Sequence, residues 1–219
     1  FLQDPVNGDR RAQEQTSWAA GLRAQHELRV SDRLALVSSV GVRAEHVDQR
    51  EQRLGRELEV VDMRRELQLM QVLSSATLGL RMDVNAVLRL DVGARVDVVH
   101  VDPTDLLDPG NDRSHTLAAA SPRATLRYQP SAKVGLFGAY GRGLRPPEGR
   151  AFTTFETGRE GLGEELLDAT PQITTSDAGE LGVRVAPTAS VDVTFAAFAT
   201  RIARESIYDH VSGINLELN

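Results

Sequence analysis

The residues able to do chemistry in this chain are numerous, but their spacing fits few kinds of site. "DPTDLLDPGND" places Asp102, Asp105, Asp108 and Asp112 close enough to cup a Ca²⁺ ion. Their spacing follows no calcium-loop pattern, and Asp-Pro and Pro-Gly are ordinary turn formers, so a turn is expected. The histidines, His26, His46, His100, His115 and His210, are scattered, where a metal centre needs them clustered with carboxylates. "GRG" at 141–143 follows a strand-like run but opens no helix, so it is no phosphate loop. There is no Cys, which removes thiolate chemistry and disulfides. No Ser/His/Asp or paired-acid constellation stands out. The expectation is no enzyme, no cofactor and no metal site.

A different pattern organises the charges. In "VLRLDVGARVDV", residues 87–98, Leu88, Leu90, Val92, Ala94, Val96 and Val98 alternate with Arg89, Asp91, Gly93, Arg95 and Asp97. Successive side chains of a strand point to opposite faces, so one face is apolar and the other charged. Arg43, Glu45, Arg81 and Arg184 hold the same relation to their neighbours. The charged face reads either as a solvated surface or as the wall of a hydrated lumen.

The same period of two runs through "WAAGLRAQHELRV", "RLALVSSVGVRAEHV", "SSATLGLRMDV", "SPRATLRY" and "VDVTFAAFAT". Tight links are expected at 31–32, 83–86, 129–132 and 187–190, with long polar links at roughly 48–68, 102–116 and 144–177. Trimmed turns on one side and elaborate loops on the other describe a meander. Helix signals are weak. Residues 61–75 fit helix or strand equally, and 160–168 fit a turn or two of helix.

The totals narrow the class. The chain has 219 residues and a formal net charge of −6, which argues against nucleic-acid binding. No apolar run is long enough for a transmembrane helix, but a transmembrane strand leaves almost no hydropathy signal. Alternating runs of about 10–14 residues exceed the usual sandwich strand and suit a tilted membrane strand of about 9–11. Aromatic content of 5% is low for a barrel with two aromatic girdles. On the residues alone, a membrane barrel and a soluble β-sandwich binding module both stay open.

"ATLRYQPSAKVGLFGAYGRGLRPPEGRAF" (124–152) resembles a late-barrel hairpin of TonB-dependent outer-membrane receptors. Tyr128, Pro130, Tyr140, Arg142, Gly143, Arg145 and Pro146 hold the motif places, with Leu144 where an aromatic is usual. Residues 177–219 are similar to the following hairpin, through Glu180-Leu181-Gly182 and Ile207-Tyr208-Asp209. The resemblance implies an all-β fold: an antiparallel up-and-down meander of about eight long strands, part of a transmembrane β-barrel and an internal fragment of it. It implies outer-membrane lipid around the chain, a small-molecule substrate such as a ferric siderophore, and the TonB energy-coupling system acting through a plug domain not in this chain. Substrate contacts are expected from the lumen face, Arg89, Asp91, Arg95 and Asp97, and from Arg142, Arg145 and the 144–176 loop. A small closed eight-stranded barrel of structural or adhesive role is the alternative within the same membrane class.

Overall fold

The computed structural model describes residues 10–55, 57–109, 112–147, 172–188, 190–203, 205–208 and 215–218. Eight strands follow one another in a single antiparallel sheet whose order is the chain order. They are β1 (Arg10–Ser31), β2 (Leu34–Leu54), β3 (Val60–Asn85), β4 (Leu88–Asp105), β5 (His115–Ser131), β6 (Val134–Arg145), β7 (Thr174–Thr188) and β8 (Val191–Ala203). A separate two-stranded ribbon pairs β9 (Glu205–Tyr208) with β10 (Asn215–Leu218). Among the described residues there is no α-helix. The sheet is open, with β1 and β8 as its edges, so these strands do not close into a small eight-stranded barrel.

Four two-residue links, after Ser31, Asn85, Ser131 and Thr188, join the strands at one end. Three of them are braced by the side chain that precedes the link. Ser31 Oγ accepts from the Arg33 amide at 3.3 Å, Asn85 Oδ1 from the Val87 amide at 2.9 Å, and Ser131 Oγ from the Lys133 amide at 3.3 Å. Short side chains that bond their own backbone two residues on are what such turns require.

At the opposite end the expected long links shorten. Residues 48–68 are not a loop: β2 runs on to Leu54 and β3 starts at Val60, leaving residues 55–59 as the connection. Residues 61–75 are therefore strand, not helix. Likewise β4 continues to Asp105 and β5 begins at His115. The possible helical turns at 160–168 lie outside the described residues.

Register explains the two faces. Leu36 pairs with Leu80, Leu80 with Val92, and Val92 with Ala124, so the apolar positions of adjacent strands stand side by side. Val40, Val42, Leu78, Val92, Val96, Val191 and Val193 are exposed on this convex face, while Leu34, Leu36, Leu88 and Leu90 are half-buried. Among the described residues the only other sheet is the short β9–β10 ribbon, and the large apolar side chains of this face stay exposed, so the sandwich reading is discarded. The apolar run on β2 spans 34–44 and on β4 spans 88–98, about eleven residues each. At about 3.3 Å per residue and a tilt near 45°, that spans about 25 Å, the height of a membrane barrel's apolar band.

Beyond this band the pattern inverts. On β4, Val98 faces out, and then Val99, Val101 and Pro103 face in and are buried, with His100, Asp102 and Thr104 exposed. Leu69, Val99, Val101 and Ile173 form a small core on the concave side, backed by Val47, Leu73, Leu117 and Leu144. The β5–β6 ladder stops at Arg123 opposite Gly141, while β6–β7 continues to Arg145 opposite Thr174. Released from β5, the end of the β6–β7 ribbon bends over the concave face, which brings Leu144 and Ile173 onto that core.

Candidate functional site

The concave face carries the charges, and they are mostly paired along or across neighbouring strands. Arg89 bonds Asp83 at 2.6 Å beside the tight-turn end. Arg81 reaches Asp91 and Glu27, each at 3.2 Å. Arg95 grips Asp97 at 2.6 Å, with the Asp97 side chain 8% exposed. Arg184 pairs with Asp192. Higher up, Glu51 is shared by Arg11 at 3.5 Å and Arg65 at 3.7 Å.

Between these pairs and the small core lies a pocket of about 530 Å³. Arg23, Arg81, Arg95, Arg123 and Arg142 line it together with Asp97, and Val99, Leu144 and Ile173 supply an apolar rim. A shallower depression of about 460 Å³ continues from Arg23 and Arg95 across β1 and β2. The pocket exists because the ladder sets the rows: Arg123 stands opposite Gly93, and Gly93 opposite Gly79. With no side chains on those two positions, the Arg123 guanidinium extends over β4 towards β3. On the neighbouring ribbon, Arg142 Nε and Nη2 donate to Asp177 at 2.9 and 3.1 Å, and Tyr140 Oη donates to the same carboxylate at 2.6 Å.

The sequence-derived candidates therefore divide. Arg95, Asp97 and Arg142 meet in the pocket. Asp91 stands behind it, holding Arg81, and Arg89 lies nearer the tight turns. Arg145 ends β6 opposite Thr174, outside the pocket lining among the described residues. Most of the 144–176 loop lies outside the described residues. Arg23 and Arg123 were not singled out by sequence. Their parity, odd on β1 and β5, marks them as inward-facing, but only the register shows that they border one pocket.

Of the other candidates, His210 lies outside the described residues, and the acidic stretch, His46 and His100 make local contacts. Asp105 Oδ1 accepts from the Leu107 and Asp108 amides at 3.0 and 3.2 Å, and Asp112 Oδ1 accepts from the Asp105 amide at 2.6 Å. This acidic stretch is a hydrogen-bonded turn, and among the described residues no group of three or more His, Asp or Glu is arranged to hold a metal ion. His46 stacks on Trp18 with centroids 5.8 Å apart, at the far edge of the apolar band. His100 Nδ1 lies 2.9 Å from Thr116 Oγ1. Burial, then the nearby Arg113 charge, push the His115 imidazole below its ordinary value.

An apolar outer band, a charged concave wall and strands staggered around short turns define a stretch of outer-membrane β-barrel wall. Residues 73–214 match the family described as TonB dependent receptor-like, beta-barrel. The chain belongs to that family, whose members are outer-membrane receptors rather than enzymes. The fold is similar to the ferric citrate transporter FecA in its unliganded form, with a TM-score of 0.66 and 11% identity over 91% of this chain and 30% of that one. It is similar to the copper transporter OprC, with a TM-score of 0.67 and 12% identity over 90% of this chain and 32% of that one. It is also similar to the ferripyoverdine receptor of Pseudomonas aeruginosa, with a TM-score of 0.64 and 11% identity over 96% of this chain and 29% of that one. The chain thus spans about 30% of the length of these structures. No curated protein matches it.

Proposed function

We propose that the chain is part of the wall of a receptor that takes up a scarce small molecule, such as a ferric siderophore, across the outer membrane in a step energised by the TonB system. The observation that carries this reading is the concave pocket, which the Arg81 and Arg95 charge pairs help to line, below the end that bears the long links. A ligand arriving from the loop side meets Leu144 and Ile173 first and the arginine wall below them. The paired charges hold the wall in shape, since an Arg–carboxylate fork fixes both partners in one geometry. The energy for release comes from outside the barrel, through the TonB system.

The test is accumulation of a labelled ferric siderophore panel by cells carrying the full-length gene, against cells that lack it. The reading expects accumulation of one member to require the gene and to stop when a protonophore collapses the inner-membrane gradient. Gene-independent accumulation of the whole panel, or uptake that survives the protonophore, contradicts it.

A further inference from the structure

The pocket is far more basic than the chain that builds it. Five arginines and one aspartate line it, in a chain of formal net charge −6. Three of the arginines are neutralised by their neighbours: Arg81 by Glu27 and Asp91, Arg95 by Asp97, and Arg142 by Asp177. Arg23 and Arg123 have no hydrogen bond or ion pair among the described residues. Guanidiniums gathered in a concave site raise the local potential and concentrate anions there. Arg123 is also held extended over the Gly79–Gly93 row, with Nη2 3.8 Å from where a β-carbon on Gly79 would stand.

We infer that this pocket binds a small molecule carrying at least two carboxylate or phosphate groups, taken by Arg23 and Arg123. This rests on the transport reading and names its class of substrate. Guanidinium is suited to the role because its planar fork meets a carboxylate or phosphate with two parallel hydrogen bonds. The two arginines stand on β1 and β5, but the Arg123 guanidinium reaches back over β4 to Gly79 on β3, two strand spacings from β1, or about 10 Å along the wall. They therefore take the ligand's two anionic groups from opposite sides of the pocket. The apolar rim of Leu144 and Ile173 suits a ligand whose body between those groups is partly apolar.

The experiment is titration calorimetry on the purified full-length receptor in detergent. The probes are trimesate and inorganic tripolyphosphate as polyanions, with acetate and maltose as controls. Both polyanions are expected to bind at least tenfold tighter than acetate, and maltose not to bind. Arg23→Gln and Arg123→Gln should each weaken the polyanions by about ten- to a hundredfold. Arg50→Gln, whose guanidinium bonds Glu66 away from the pocket, should change nothing. Polyanions no tighter than acetate, or unchanged in either variant, overturn the proposal. So does absent binding combined with a lower unfolding temperature of the Arg23→Gln/Arg123→Gln protein, which assigns the arginines to acidic side chains elsewhere in the receptor. Protonophore-sensitive accumulation measured alongside separates the two readings. If it persists without polyanion binding, only the ligand class fails; if it is absent, the transport reading fails.

Discussion

Arg123 lies across the backbone of two other strands: its Nη2 stands 3.8 Å from the position a β-carbon would take on Gly79, two strands away. The relationship depends on Gly93, which separates the two in the row. A β-carbon on Gly93 would come within 2.8 Å of the Leu78 carbonyl oxygen and 3.0 Å of the Gly79 Cα, both backbone atoms that cannot rotate away.

Gly93→Ala is therefore expected to destabilise the barrel by about 1–3 kcal/mol, the usual cost of forcing an extra carbon into a packed site. Gly79→Ala, whose nearest contact would be Val92 O at 3.2 Å, should cost less. Reversible folding of the full-length protein into lipid vesicles measures both.

Val92 and Arg123 report the two faces. Val92→Arg places a charge in the apolar band and should cost about 2–4 kcal/mol near the midplane. Arg123→Val removes an inward charge that has no partner among the described residues and should cost far less. Arg95 is a poorer probe of the inner face, because removing it strands the buried Asp97. The same vesicle-folding measurement applies, and equal costs would count against the assignment of faces.

The apolar core above the band makes its own demand. Leu69→Ala should cost about 2–5 kcal/mol, as for other buried leucines. Met70→Ala, the next residue on the exposed face, should cost clearly less. Denaturant midpoints of the two variants in one lipid composition give the comparison.

His115 should make the loop-side end acid-sensitive. Its folded pKa lies below the ordinary 6.5, so the unfolded chain takes up the proton first. The stability that goes with the neutral imidazole is complete above 6.5 and is lost as pH falls through the lower folded value. His115→Gln should match the parent protein at about pH 8 and lose less stability than the parent at about pH 5. Hydrogen exchange of the β4–β5 ladder against pH reads this, and parallel pH profiles would contradict it.

The strands, their order and the apolar face were legible because lipid on one side and charge on the other impose a strict period of two, as from Leu88 to Val98. The signal failed where that asymmetry ends. In "VDQREQRLGRELEVVDMRRELQ" both faces are polar, so the chain reads as loop, yet ladder hydrogen bonds carry β2 to Leu54 and β3 from Val60. The doublet Val98-Val99 marks the inversion, since one valine faces out and the next faces the concave core. The pocket was only half legible. Parity identifies which arginines point inward, but the row that sets Arg123 over Gly93 and Gly79 depends on pairings among three strands that no local pattern encodes.

Residue parity in β4 sets which face meets lipid and which meets the lumen. The chain has no cysteine, so single cysteines introduced one at a time from Leu88 to Val98 can be spin-labelled in the full-length protein, once any cysteine elsewhere has been replaced. Collision rates in lipid vesicles with oxygen, which concentrates in lipid, and with a water-soluble nickel chelate then read each position. The prediction is an alternation of period two: oxygen dominates at Leu88, Leu90, Val92, Ala94, Val96 and Val98, and falls at Arg89, Asp91, Gly93, Arg95 and Asp97. No alternation, or the opposite phase, would contradict the placement of the apolar face against lipid and the arginine wall inside the barrel.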